Sequence, residues 1–121
     1  MVYFLMEKRE EGLVKIGFTG KLEGRMGTLR QGNPYDLEII AIIPNDDSKT
    51  DREQESADRI LEKQIQTDLE PFLFRGEWYR ADSKVFDYMR KLPDIKICNK
   101  KPKWYWDYDA QMGQMTLPLD N

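Results

Sequence analysis

The chain has 121 residues, no histidine and one cysteine. Without an imidazole there can be no Ser-His-Asp triad, no Cys-His dyad, no His-ligated zinc and no nuclease of the HNH type. A single thiol closes no intramolecular disulfide and builds no thiolate metal cage, so Cys98 is expected to be a quiet residue in a reducing cytosol. Long apolar runs are missing too. The apolar start, Met1 to Met6, spans six residues with no basic segment ahead of it, and Glu7 to Glu11 then end it. A signal peptide or a spanning helix needs far more. The expectation is a soluble, cytoplasmic protein with no membrane partner. Any chemistry must come from Tyr, Lys, Arg, Asp or Glu, with a hard, oxygen-preferring metal as the natural helper.

What is present suits one domain with a single core. The formal net charge is −3, which alone argues against a nucleic-acid partner. Division of the chain changes that picture. Residues 1–35 carry six basic and four acidic groups, residues 36–70 four and eleven, and residues 71–103 nine and four. An acidic middle therefore lies between two basic segments, and local fields decide where a phosphate backbone docks.

Val2 to Met6 and Leu13 to Thr19 read as strands joined by a charged connection that ends at Gly12. Alternation in the second strand sets Leu13, Lys15 and Gly17 on one face and Val14, Ile16 and Phe18 on the other. Thr19 is placed to cap a helix over 21–31 with Leu22, Met26 and Leu29 as its buried stripe. Gly24 and Gly27 inside it each cost about 1 kcal/mol relative to Ala, which hints at close approach by a backbone or a ligand. Gly32-Asn33-Pro34 stops the helix. Leu37 to Pro44 is nearly continuous in Leu, Ile and Ala and is expected as the central strand. Thr50 to Glu53 has the capping-box pattern and opens a long helix to about Leu69. Its expected core stripe is Ala57, Ile60, Leu61, Ile65 and Leu69, flanked by a polar row of Glu55, Arg59, Glu62 and Gln66. Arg75 to Tyr79 reads as a loop or edge segment, and Ser83 to Leu92 as a third helix burying Val85, Phe86 and Met89. Ile95, Ile97 and Cys98 could add a short strand. The order predicts an α+β domain: a small three-stranded antiparallel sheet flanked by helices.

Four chemistry-bearing residues fall into an order: Tyr3 in the first strand, Lys15 in the second, Arg25 in the first helix and Glu62 on the flank of the long helix. With Val2-Tyr3-Phe4, Lys15 to Thr19, Arg25 through Leu29, Asn33-Pro34 and Gly76 to Tyr79, this pattern resembles the GIY-YIG nuclease superfamily, in its phage-type DNA-binding branch. The resemblance covers residues 1–92 and leaves 93–121 as a C-terminal extension. It implies a GIY-YIG-like fold and a metal-dependent DNA endonuclease, phage or mobile-element associated. Tyr3 would act as, or help position, the base for an attacking water. Lys15 stands where the family has its second tyrosine, Arg25 matches the arginine on the scissile phosphate, and Glu62 matches the glutamate that holds a single Mg²⁺ or Mn²⁺. Two departures are visible: lysine for that tyrosine, and the loss of a late asparagine near Glu77.

The chemistry is sensible in its own terms. Phosphodiester cleavage builds negative charge that an arginine and a divalent ion stabilise. Lys15 could serve as a base or grip phosphate. Lys21, Arg30, Arg75, Lys100, Lys101 and Lys103 are the further candidate nucleic-acid contacts. Lys100 to Trp106 interleaves basic and aromatic residues, which suits stacking on bases or, equally, folding back on the domain or covering a dimer partner. Glu77 and Trp78 are expected to stabilise the fold. The alternative function is a catalytically inactive module of the same fold that binds DNA, a nucleotide ligand or a host protein.

Overall fold

Strand β1 (Val2–Glu7) runs into β2 (Val14–Phe18), helix α1 (Leu22–Gln31), β3 (Leu37–Ile43) and the long helix α2 (Asp51–Asp68). A single 3-10 turn at Glu70–Phe72 leads to β4 (Leu73–Arg75), β5 (Trp78–Tyr79), helix α3 (Ser83–Arg90) and β6 (Lys96–Ile97). This is a computed structural model that describes residues 1–98. Lys100, Lys101, Lys103 and the aromatic segment around them lie outside the described residues.

The α+β class holds, but the sheet has six strands rather than three. Its order is β4-β5-β2-β1-β3-β6 and every pairing is antiparallel. The added strands, β4, β5 and β6, are two or three residues long. Such pieces are too short to show an alternating pattern, so they are built by pairing onto β2 and β3 rather than by local propensity. The central position also moves. β1 lies between β2 and β3 and is buried along all six residues, whereas β3 has only the two-residue β6 on its outer side.

Both faces of the sheet are covered. Val2, Phe4, Met6, Val14 and Ile16 point to one side, where Ile65 of α2, Leu69 at its C-cap and Val85, Phe86 and Met89 of α3 close the main core. Tyr3 and Leu5 point to the other side with Met26 of α1, Leu37 and partly buried Leu22, Leu29 and Trp78. Cross-strand partners share a face, so the pairs Tyr3–Gly17, Leu5–Lys15 and Lys15–Trp78 set Lys15 and Gly17 on the α1 side, as the alternation of β2 requires.

In α2 the capping box forms as read: the Thr50 hydroxyl accepts from the Glu53 amide while the Glu53 carboxylate accepts from the Thr50 amide. The buried stripe differs by one residue. Ile65 and Leu69 are buried and Leu61 is partly so, but Ile60 is 71 % exposed. One step from Leu61 is a rotation of about 100°, which carries Ile60 off the core face. Asp58 occupies buried surface instead, where it pairs with the Met1 ammonium. At α1 the expected threonine cap is replaced. Lys21 is the cap residue, and the Thr19 hydroxyl accepts from the Lys21 amide and donates to its carbonyl. Gly24 and Gly27 face open space, so no neighbouring backbone explains them. No helix among the described residues is long and apolar enough to cross a membrane.

Candidate nucleic-acid cleft

The chain passes from β2 to α1 through Thr19-Gly20-Lys21, and this crossing forms the floor of an open cleft of about 580 Å³. One wall is α1 with Arg25, the other is the flank of α2 with Asp51, Glu55, Asp58 and Glu62. Glu77, in the turn between β4 and β5, also lines it. Four separate segments thus meet at one opening.

Tyr3 lies beneath. Its side chain is 1 % exposed, and its cross-strand partner is Gly17. A Cβ at position 17 would stand 2.4 Å from the Tyr3 hydroxyl oxygen and 2.6 Å from the ring carbon that bears it. Glycine is therefore required for the phenol to lie across β2. Burial pushes the Tyr3 hydroxyl above its ordinary pKa, and the nearby Arg25 guanidinium charge partly offsets that. The Glu77 and Glu62 charges raise it further. The phenol stays protonated at neutral pH.

Glu62 is half-buried and makes no hydrogen bond or salt bridge with the described residues. Desolvation raises its pKa first, and the neighbouring Glu77 charge adds to this, while Lys15, Arg59 and Arg25 counter it. Lys15 is buried on β2 and donates to Glu77 at 2.9 Å, with its ammonium 5.4 Å from the centre of the Trp78 ring. Tyr79, in the core below, feels the same field: burial, then Glu77 and Glu62, push its phenol up to about 12.

The structure therefore gathers Tyr3, Lys15, Arg25 and Glu62 into one electrostatic cluster, from β1, β2, α1 and α2. Glu77, read from the sequence as a fold anchor, lines the cleft and couples to three of the four. It lies 62 residues from Lys15, and only its place in a Gly-Glu-Trp turn marked it. Of the other candidate contacts, Lys21 lines the cleft. Arg75 does not, but lines a second groove on the far side of Trp78. Arg30, exposed in the last turn of α1, does not line the cleft either.

The T5orf172 domain family model matches residues 1–92. The chain belongs to the T5orf172 family. This is a phage-associated, nuclease-like DNA-binding domain. No GIY-YIG family match accompanies it, so the GIY-YIG assignment made from the motifs is corrected. The resemblance rested on five short patterns and departed from the superfamily in two respects, lysine at position 15 and the loss of an asparagine near Glu77; Lys15 and Glu77 form an ion pair. No curated protein and no solved structure matches the chain significantly.

The T5orf172 cleft is acidic: five carboxylates line it against the two cations Lys21 and Arg25. Asp58 is committed to the Met1 ammonium and Gln54, and Glu55 to Arg59. Among the described residues no group of three or more Asp, Glu, Cys or His side chains is placed to enclose an ion. Mg²⁺ commonly takes only one or two carboxylates and keeps several waters. Glu62, which has no hydrogen bond or ion pair among the described residues, fits that mode of binding, with the Lys15-paired Glu77 nearby.

Proposed function

We propose that this T5orf172 domain is a metal-dependent DNA endonuclease that hydrolyses a phosphodiester in the cleft. The observation that carries the proposal is the meeting of Arg25, Glu62 and Glu77 at one cleft, all three near enough to the buried Tyr3 for their charges to act on its hydroxyl. Arg25 takes the non-bridging oxygens of the scissile phosphate and stabilises the charge that grows there. Glu62, with Glu77 beside it, holds a hydrated Mg²⁺ or Mn²⁺, which when bound supplies further charge stabilisation at the phosphate. Tyr3, kept as a neutral phenol, orients the attacking water through its hydroxyl rather than deprotonating it. The water proton passes to Glu77, which Lys15 holds in place, while the phosphorus–oxygen bond to the departing strand breaks and its oxygen takes a proton from solvent. Lys15 is thus a positioning residue, and Lys21 grips a neighbouring phosphate.

Plasmid nicking in Mg²⁺ and in Mn²⁺ tests this. Arg25→Ala should lower the rate by about 10²-fold or more, the usual effect of removing one oxyanion donor. Glu62→Gln should abolish the metal requirement together with the activity. Wild-type protein that cuts nothing with either ion, or a Glu62→Gln variant that cuts as well as wild type, would sink the idea. The acidity of the cleft favours one second reading, a DNA-binding module without catalysis. In that case Arg25→Ala weakens binding, nothing is nicked, and Glu62→Gln strengthens binding by removing a repelled charge.

A further inference from the structure

A second groove lies across Trp78 from the cleft. Leu13, Leu29, Pro34 and Trp78 form its apolar part, with Phe74 and Arg75 of β4 at the rim; its volume is about 340 Å³. Phe74 is 58 % exposed, and all three residues of β4 face solvent. A phenyl ring left in water beside an apolar groove gains nothing from folding and suits a flat apolar ligand. Arg75 next to it forms no ion pair with the described residues, so its charge is free to meet an anion.

The groove neighbours the cleft: the two share no lining residue, but residues close in the chain line each. Helix α1 presents Arg25 to the cleft and Leu29 to the groove. Four residues of helix span about 6 Å, a distance bridged within two nucleotide steps. On the sheet side Glu77 and Trp78 are adjacent, one lining each cavity, and the Lys15 ammonium sits near the Trp78 ring. A strand with one phosphate at Arg25 can therefore place a neighbouring nucleotide over the groove, with Arg75 available to its phosphate and the aromatic side chains to its base. Every base has a π-face that stacks on such rings, but a paired base buried in a duplex cannot present it.

We infer that this groove is a nucleobase subsite. It takes an unpaired base beside the phosphate held at Arg25, so the substrate has a single-stranded or extruded nucleotide next to the point of cleavage. This rests on the nuclease reading above, and the following test separates the two. Wild type, Phe74→Ala and Arg25→Ala are titrated, with Ca²⁺ in place of Mg²⁺ so that a cation offsets the carboxylates without supporting rapid cutting, against a labelled oligothymidylate and an abasic oligonucleotide of the same length. Phe74→Ala should weaken the oligothymidylate about tenfold, as expected for one lost stacking contact, and leave the abasic strand unchanged. Arg25→Ala should weaken both. Phe74 is exposed, so its removal leaves the fold intact, which a melting curve verifies. If Phe74→Ala affects both strands equally or neither, while Arg25→Ala weakens both, the subsite is overturned and the nuclease reading stands. If Arg25→Ala also has no effect, or neither strand binds wild type, both fall. A Phe74→Ala change in sedimentation with oligonucleotide affinity untouched makes the groove a protein interface and overturns the subsite as well.

Discussion

Tyr3 and Gly17 work as one unit, because the phenol occupies the space a side chain at 17 would need. Gly17→Ala should therefore displace the ring, cost about 1–3 kcal/mol of stability as overpacking does, and remove most nicking activity. Denaturant unfolding beside the plasmid assay measures both; unchanged stability and activity would mean the ring does not lie there. Glu62 makes a different prediction. Burial first, and the Glu77 charge next, raise its carboxyl pKa from the ordinary value, so folding disfavours the charged form. Below about pH 4, near the unfolded value, no penalty exists, and it grows as pH rises through the raised folded value. Glu62→Gln should thus raise the melting temperature at pH 7 and leave it unchanged at pH 4, while metal binding is lost. A lowered melting temperature at pH 7 would show that Glu62 is a stabilising partner instead. Tyr3, Lys15 and Arg25 were legible as candidates because each stands in a short local pattern, and Glu62 through its place on the polar flank of the long helix in the same order of elements. Glu77 was not, since its partner Lys15 reaches it only through the pairing of β2 with β5.

Helix α2 shows how far a periodic pattern carries. Its capping box, start and length follow from local rules, and the apolar recurrence finds Leu61, Ile65 and Leu69. Ile60 sits close enough to that stripe to be counted with it, yet the helix turns it to solvent. Ile60→Lys should change stability by no more than about 0.5 kcal/mol, whereas Ile65→Ala should cost about 2–5 kcal/mol. Equal losses in urea unfolding would mean the helix is rotated from its described setting. The same rotation presents Glu55, Asp58 and Glu62 to the cleft, so the register of α2 governs the site as well as the core. Strands β4 to β6 mark the opposite limit. Two or three residues hold no readable period, and the hairpin that carries Glu77 and Trp78 exists because β2 offers it an edge.

A net charge of −3 conceals a sorted field. The acidic middle segment of the chain is folded into one wall of the cleft, against Lys21 and Arg25. DNA reaching Arg25 must pass carboxylates that repel it unless a cation intervenes. Affinity for DNA should fall as NaCl rises, the usual result of counterion release, yet rise when low millimolar Mg²⁺ replaces an equal ionic strength of NaCl. Anisotropy titrations with wild type and Glu62→Gln check this, and the Mg²⁺ gain should vanish in the variant. A gain of the same size in both would move the metal effect away from Glu62.

Composition and local pattern were enough to exclude imidazole and thiolate chemistry, to place three helices and three long strands, and to mark Tyr3, Lys15, Arg25 and Glu62. Those are properties of residue type and of short-range periodicity, which the chain carries before it folds. The partnership of Glu77 with Lys15, the packing of Tyr3 over Gly17, the second groove at Phe74 and the acidity of the cleft arose only on folding. Each joins residues far apart in the chain, and burial, distance and neighbouring charge are defined only once the strands have paired.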